Sequence, residues 1–262
     1  MGILNVTPDS FSDGGSHPDD RAALDAAIVM LEAGATIVDV GGESTRPGAE
    51  PVDVAEETRR VAGVVRALAK RGACVSVDTR HPEVAAACLA GGASIVNDIT
   101  GLADPRMVDV VAGSDAGVIA MHMLGEPRTM QRDPAYADVV AEVASYLEAR
   151  VAALVAAGVS ADRIALDPGI GFGKTTAHNV ELLRRLGEIV ALGFPVVVGA
   201  SRKRSIGDLT GVAEPRERVA GSIAAALAAV ERGATVVRVH DVAATVQALA
   251  VASAIKGEGA PR

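Results

Sequence analysis

The segment Asp167-Pro168-Gly169-Ile170-Gly171-Phe172-Gly173-Lys174-Thr175 sets a carboxylate at the end of an apolar run and follows it with glycines at alternate positions. Glycine lets a backbone turn tightly and approach a ligand closely, so this pattern suits a small, flat, polar molecule. Its last five residues imitate a nucleotide-binding loop. The pattern G-x-x-x-x-G-K-[ST] needs glycine at position 168, where the chain has Pro168, and a phosphate-binding loop is therefore rejected.

Asp78 ends another apolar run, and burial at such a place raises a carboxyl pKa unless hydrogen-bond donors surround it. A pterin or guanine-like ring supplies them, because its 2-amino group and ring N–H match one carboxylate in two hydrogen bonds. Asn97 offers that edge both an acceptor and a donor. The competing reading of a single strand-end Asp is a cap for the helix that follows.

Asn5-Val-Thr-Pro-Asp-Ser-Phe-Ser-Asp-Gly-Gly15 gathers hydroxyls, carboxylates and an amide, oxygen donors of the kind Mg²⁺ prefers. Asx turns in a tight surface loop are the plainer account of it. Glu43-Ser-Thr-Arg-Pro-Gly48 places an arginine and two hydroxyls where they could grip a diphosphate. In Ser201-Arg-Lys-Arg204 the backbone N–H groups and three cations converge at an expected anion site, the alternative being a solvated basic face. Arg238 and His240, spaced by two, share one face of an extended segment and suit the same anion. Phe11 and Phe172 lie in loops and face a ligand or pack locally. His122 reads as a satisfied polar group or pocket wall. No Ser-His-Asp or zinc-ligand spacing stands out.

Positioning these groups requires strands that all finish on one side. Strand-like runs lie at residues 2–6, 36–40, 73–77, 94–96, 117–121, 163–166, 195–198 and 235–239. Between them come helix-period segments, among them 20–33, 54–71, 82–90, 136–157, 177–192, 214–232 and 242–255. Several close on a glycine suited to a helix C-cap: Gly34, Gly72, Gly91, Gly158, Gly193 and Gly233. Eight apolar strands alternating with helices predict an α/β fold, a single (β/α)8 TIM barrel with its site where the strands end. The long connections 7–19, 41–53, 122–134, 168–176 and 199–213 mark that face. One domain spanning 1–256 and a frayed tail at 257–262 are expected.

With 262 residues, 49% of them hydrophobic, the chain can bury a large core, and its net charge of −8 disfavours a nucleic-acid partner. No apolar run is long enough to cross a bilayer, and the start lacks a charged region followed by an apolar stretch, so a soluble protein that is not exported is expected. Cys74 and Cys88 show neither disulfide nor metal spacing, which fits a reducing cytoplasm.

Residues 1–15, Gly42-Glu-Ser-Thr-Arg-Pro-Gly48, Asp167-Pro-Gly-Ile-Gly-Phe-Gly173 and Ser201-Arg-Lys203 together closely resemble the dihydropteroate synthase family. Val77-Asp-Thr79, Asn97-Asp-Ile99, Met121-His-Met123 with Thr129-Met-Gln131, and Arg238-Val-His-Asp241 follow in the family's order, so the match runs nearly the whole chain. The resemblance implies condensation of 6-hydroxymethyl-7,8-dihydropterin diphosphate with 4-aminobenzoate. It places Asp78, Asn97, Met121, Asp167 and Lys203 around the pterin. Asn5, Thr45, Arg46, Arg238 and His240 would take the diphosphate, with Asn5 on Mg²⁺. Phe11, Pro47, Phe172, Ser201 and Arg204 would surround the aminobenzoate, and Asp78, Lys203, Arg238 and His240 would carry the catalysis. A homodimer is implied as well, with residues 220–229 as a candidate surface.

Two departures stand out. Met1 directly precedes the first strand, so strand one and the barrel bottom are expected to be held more weakly than in the family. Position 204 is Arg where many members carry a Ser; Arg204 either binds the aminobenzoate carboxylate or points away and leaves backbone N–H groups to do so. The rival readings are a pterin-binding methyltransferase-type barrel, against which the diphosphate-gripping segments argue, and a catalytically silent paralogue.

Overall fold

The computed structural model describes residues 1–6, 18–44 and 51–257, the side chains of 18–20 apart. Eight strands run in chain order: β1 (Gly2–Asn5), β2 (Ile37–Gly41), β3 (Cys74–Asp78), β4 (Ile95–Asp98), β5 (Gly117–Met121), β6 (Ile164–Asp167), β7 (Val197–Val198) and β8 (Val236–Val237). Strands β1 to β6 form one parallel sheet in sequence order, and β7 pairs with β8 in parallel. Single bridges join the two pieces, Leu166 to Val196 on one side and Gly2 to Val239 on the other. Hydrogen bonds reinforce the second junction: Ile3 N–H donates to Val239 O and Val239 N–H to Met1 O, each at 3.0 Å. The expected (β/α)8 barrel is the observed fold.

The strands are short and apolar because both of their faces are covered, as parallel sheets require. Val38 and Val40 of β2, Val75 and Val77 of β3 and Val96 of β4 are fully buried. Helix α2 (Val54–Ala69) illustrates how the outer layer attaches. Val61, Val64, Val65 and Leu68 recur at helical spacing and are all buried, each contributing about 1.5–3 kcal/mol of apolar burial. Asp53 caps the helix by accepting from Ala55 N–H at 3.0 Å, which satisfies one otherwise unpaired donor.

The remaining helices are α1 (Pro18–Glu32), α3 (Pro82–Ala90), α4 (Pro105–Ala112), α5 (Val139–Ala156), α6 (Thr176–Arg184), α7 (Leu186–Val190), α8 (Arg204–Thr210), α9 (Val219–Glu231) and α10 (Val242–Lys256). Three of the expected helices are redrawn, and β7 and β8 are shorter than the expected runs 195–198 and 235–239. The helix predicted over 177–192 is two, α6 and α7, divided at Arg185, whose guanidinium is drawn to Asp138 and Glu188. The one predicted from 136 begins at Val139, because the Asp138 side chain caps it and Tyr136 reaches away to Gly173 O. The one predicted from 214 begins at Val219, after a short 3₁₀ turn at Pro215–Glu217. The left-handed residue after α3 is Gly92, at φ 103°, and Gly91 stays right-handed.

Candidate active site

The ends of β3, β4, β5, β6 and β8, with the segments after β6 and β7, surround a cleft lined by Asp78, Asn97, Ile99, Met121, Asp167, Ile170, Phe172, Gly199, Lys203 and Arg238. Ile99, Met121, Met130 and Phe172 pack into one buried apolar cluster, which gives the cleft a greasy wall facing a polar rim.

The loop after β6 is the most heavily pinned part of the site. Gly169, Gly171 and Gly173 have φ of 68°, 83° and 62°, a region that side chains disfavour, which accounts for glycine at alternate positions. Asp167 Oδ1 accepts Gly169 N–H at 2.7 Å and Asn179 Oδ1 accepts Gly171 N–H at 2.7 Å. Gln131 and Tyr136 donate to the carbonyls of Gly171 and Gly173 at 2.6 and 2.8 Å.

Lys174 completes the loop from beneath. Its ammonium is buried and donates to Gly169 O and Phe172 O, each at 3.0 Å, and to His122 Nδ1 at 2.9 Å. Burial lowers Lys174 to about 7, and burial, followed by the charge of Lys174, lowers His122 to about 3, so His122 is the neutral acceptor of that contact. The lysine of the nucleotide-loop lookalike is thus turned onto its own chain.

The charged rim is closely knit. Arg238 donates from Nη2 to Asp78 Oδ2 at 2.5 Å and from Nε to Asp39 Oδ2 at 2.6 Å. Asp39 also accepts from Asn97 Nδ2 at 3.1 Å. Burial pushes Asp78 up to about 7 despite the opposing charge of Arg238. Asp167 is raised for the same reason, against Gly169 N–H and the charges of Lys203 and Arg238. Burial and the neighbouring Arg238 lower Lys203 to about 8, and its Nζ lies 4.0 Å from the centre of the Phe172 ring.

Ser201 is buried and shares a 3.0 Å hydrogen bond with His240 Nδ1. His240 is lowered to about 4 by burial and then by the charges of Arg202 and Arg238. The expected convergence of three cations does not occur. Arg202 turns to Asp241, at 2.5 and 3.0 Å, and Arg204 extends into solvent 3.7 Å from Asp208 with 89% of its side chain exposed. A left-handed backbone at Arg202, φ 59°, sends successive side chains apart and leaves Lys203 alone in the cleft. Asn5 stands at the end of β1. Phe11, Thr45, Arg46 and Pro47 lie outside the described residues, as do most of the first two long loops and residues 258–262.

Donor atoms of Glu43, Glu57 and His81 lie within 4.8 Å of one another, a group that could hold a metal ion. Glu43 is already occupied by Arg80, at 3.0 and 3.1 Å, and by Val52 N–H, and His81 supplies nitrogen where Mg²⁺ takes oxygen. The group therefore reads as an ion-pair cluster, in which burial raises Glu57 to about 7.

Asp39, inside the apolar run 36–40, was not singled out from the sequence as a site residue, and neither were Ile99 and Ile170 of the lining. The spacing of Ile99 two residues beyond Asn97 carried that signal.

A polar cleft at the strand ends of a parallel barrel defines the chain as a ligand-binding (β/α)8 enzyme fold. A family profile described as pterin binding enzyme matches residues 1–240. The dihydropteroate synthase of Neisseria meningitidis is 51% identical over 261 residues, covering 97% of this chain and 92% of the relative. The structure of Xanthomonas albilineans dihydropteroate synthase with 4-aminobenzoic acid superposes with a TM-score of 0.93 at 51% identity, covering 98% of this chain and 92% of that one. The same enzyme in complex with 7,8-dihydropteroate gives 0.90 at 48% identity, with the same coverage. The chain belongs to the pterin binding enzyme family and, within it, to the dihydropteroate synthases.

Proposed function

We propose that this chain condenses 6-hydroxymethyl-7,8-dihydropterin diphosphate with 4-aminobenzoate, forming 7,8-dihydropteroate and releasing diphosphate. The observation that carries this is the cleft itself. Asp167 and Asn97 stand on its polar rim, Phe172 and Met121 form an apolar wall, and Lys203 and Arg238 bring positive charge to the same space. The relatives' complexes with 4-aminobenzoic acid and with 7,8-dihydropteroate support it.

In this reading Asp167 accepts the 2-amino and ring N–H groups of the pterin, and Asn97 reads the same edge. Lys203, held against Phe172, donates to the ring's oxygen. Arg238 and His240 face the diphosphate, joined by Thr45 and Arg46. Asp78 lies next to Arg238 and stabilises positive charge that develops on the pterin methylene as the diphosphate departs. The aminobenzoate amine, held near Phe172, Pro47 and Ser201, attacks that carbon, and Phe11 helps exclude water. The neutral state of His240 suits it to donate one hydrogen bond to a phosphate oxygen without needing a proton from solvent.

The donor chemistry of Asn5, an amide oxygen at the mouth of the barrel, fits Mg²⁺ better than the nitrogen-containing Glu43–Glu57–His81 group does. Asn5 would hold the ion together with diphosphate oxygens and water, and the ion would offset charge on the leaving group.

We also propose a homodimer through α9, where Ala220 and Ala224 lie exposed one helical turn apart. A cytoplasmic setting suits the two free thiols, Cys74 and Cys88. Among the described residues no helix is long and apolar enough to cross a membrane.

The deciding experiment measures diphosphate release from the pterin diphosphate with Mg²⁺, with and without 4-aminobenzoate, alongside detection of dihydropteroate by mass. Product that depends on aminobenzoate is the expected result. Pterin binding without product would favour a silent paralogue.

A further inference from the structure

Asp39 is fully buried in β2, beneath the cleft and outside its lining. One of its oxygens, Oδ2, takes two donors from opposite sides of the barrel, Asn97 Nδ2 at 3.1 Å and Arg238 Nε at 2.6 Å. The other, Oδ1, has no hydrogen-bond partner among the described residues. A carboxylate oxygen paired in this way only accepts, so the face of the Asn97 amide turned toward it must be the NH₂ group. That fixes the carbonyl oxygen of Asn97 and its second N–H in one order toward the cleft. An asparagine free to rotate by half a turn would serve a ring edge with donor and acceptor exchanged equally well. The same carboxylate also holds the guanidinium of Arg238 so that Nη2 meets Asp78.

We propose that Asp39 is a positioning residue that sets the specificity of the pterin site, fixing which way round Asn97 offers its acceptor and its donor to the ring. The inference rests on the pterin reading given above. It makes Asn97 a reader of the ring edge, because a pinned amide leaves a buried polar group unpaired against a ring of the wrong pattern. It also explains why a carboxylate is buried two strands away from Asn97 with no ligand of its own: its partners are the groups that touch the ligand.

The test compares affinities for 6-hydroxymethylpterin and for its lumazine counterpart, which carries a carbonyl in place of the 2-amino group, by calorimetry with Mg²⁺ and diphosphate present. Wild type should prefer the pterin. Asp39→Ala and Asn97→Ala should each lower the pterin-to-lumazine affinity ratio by about tenfold, and the double variant should lower it no further than Asn97→Ala alone. Asp39→Asn, which retains an acceptor oxygen at the same place, should restore most of the preference. A purely structural part for Asp39 would weaken both ligands together and leave the ratio alone, and that result overturns the proposal. An unchanged ratio in Asn97→Ala overturns it too, even where Asp39→Ala does not fold. Wild type that binds neither ring would instead overturn the pterin reading on which the inference stands.

Discussion

The ammonium of Lys203 rests 4.0 Å from the centre of the Phe172 ring, so a cation from the segment after β7 is seated on the glycine-rich loop after β6. The contact fixes both walls of the cleft at once and holds Lys203 near Asp167 and Asp78, whose charges act on it. Lys203→Ala should therefore lower turnover about tenfold or more while leaving the fold intact. A wild-type rate measured by diphosphate release would remove Lys203 from the site.

Asp167 accepts Gly169 N–H through Oδ1, and in the proposed complex its Oδ2 would face the donors of the pterin edge. Replacing that oxygen by an NH₂ group sets donor against donor at the ring edge. Asp167→Asn should weaken pterin binding by about 2 kcal/mol, roughly thirtyfold, by calorimetry. Unchanged affinity would refute the placement.

Lys174 is not itself part of the cleft lining, yet it satisfies the carbonyls of Gly169 and Phe172 and the ring of His122. Lys174→Met would strand those acceptors in a dry interior. It should cost about 2–4 kcal/mol of stability in urea unfolding. A loss below about 1 kcal/mol would mean that water replaces the ammonium.

Arg204, nearly all of it in solvent beside Asp208, is the opposite case. Arg204→Ala should alter stability by less than about 0.5 kcal/mol and leave the KM for 4-aminobenzoate near wild type. A KM raised tenfold would mean that the side chain swings inward to meet the carboxylate.

His122 and His240 are held neutral, with values of about 3 and 4, burial being the main cause in each. In the folded state each binds fewer protons than in the unfolded chain, so their contribution to stability is present above about 6.5 and is lost as the pH falls toward the folded values. By NMR both rings should remain unprotonated at pH 5.5. A midpoint above 6 for either would contradict the burial that sets it.

The barrel was legible in the sequence because parallel strands covered on both faces leave short, largely apolar runs, such as those holding Val38 and Val40 or Val75 and Val77. Asp78, Asn97 and Asp167 were legible because each closes one. What the sequence hid is side-chain direction. Arg202, Lys203 and Arg204 read as one basic cluster, but a single left-handed residue sends the first to Asp241, the second into the cleft and the third to solvent. Asp39 was hidden for a related reason: its partners, Asn97 and Arg238, come from distant strands, and only closure of the barrel sets them on one oxygen.

That closure is uneven. A six-stranded arc and a two-stranded slat meet at one bridge on each side. The arc carries Asp78, Asn97 and Asp167, whereas Arg238 leaves the slat directly after β8 and Lys203 follows β7. A bound pterin diphosphate would therefore act as a rivet across a split hoop. Its occupancy should register along the two joints, as slower amide exchange at Leu166 and Val239, whose N–H groups cross them, and as a higher melting temperature.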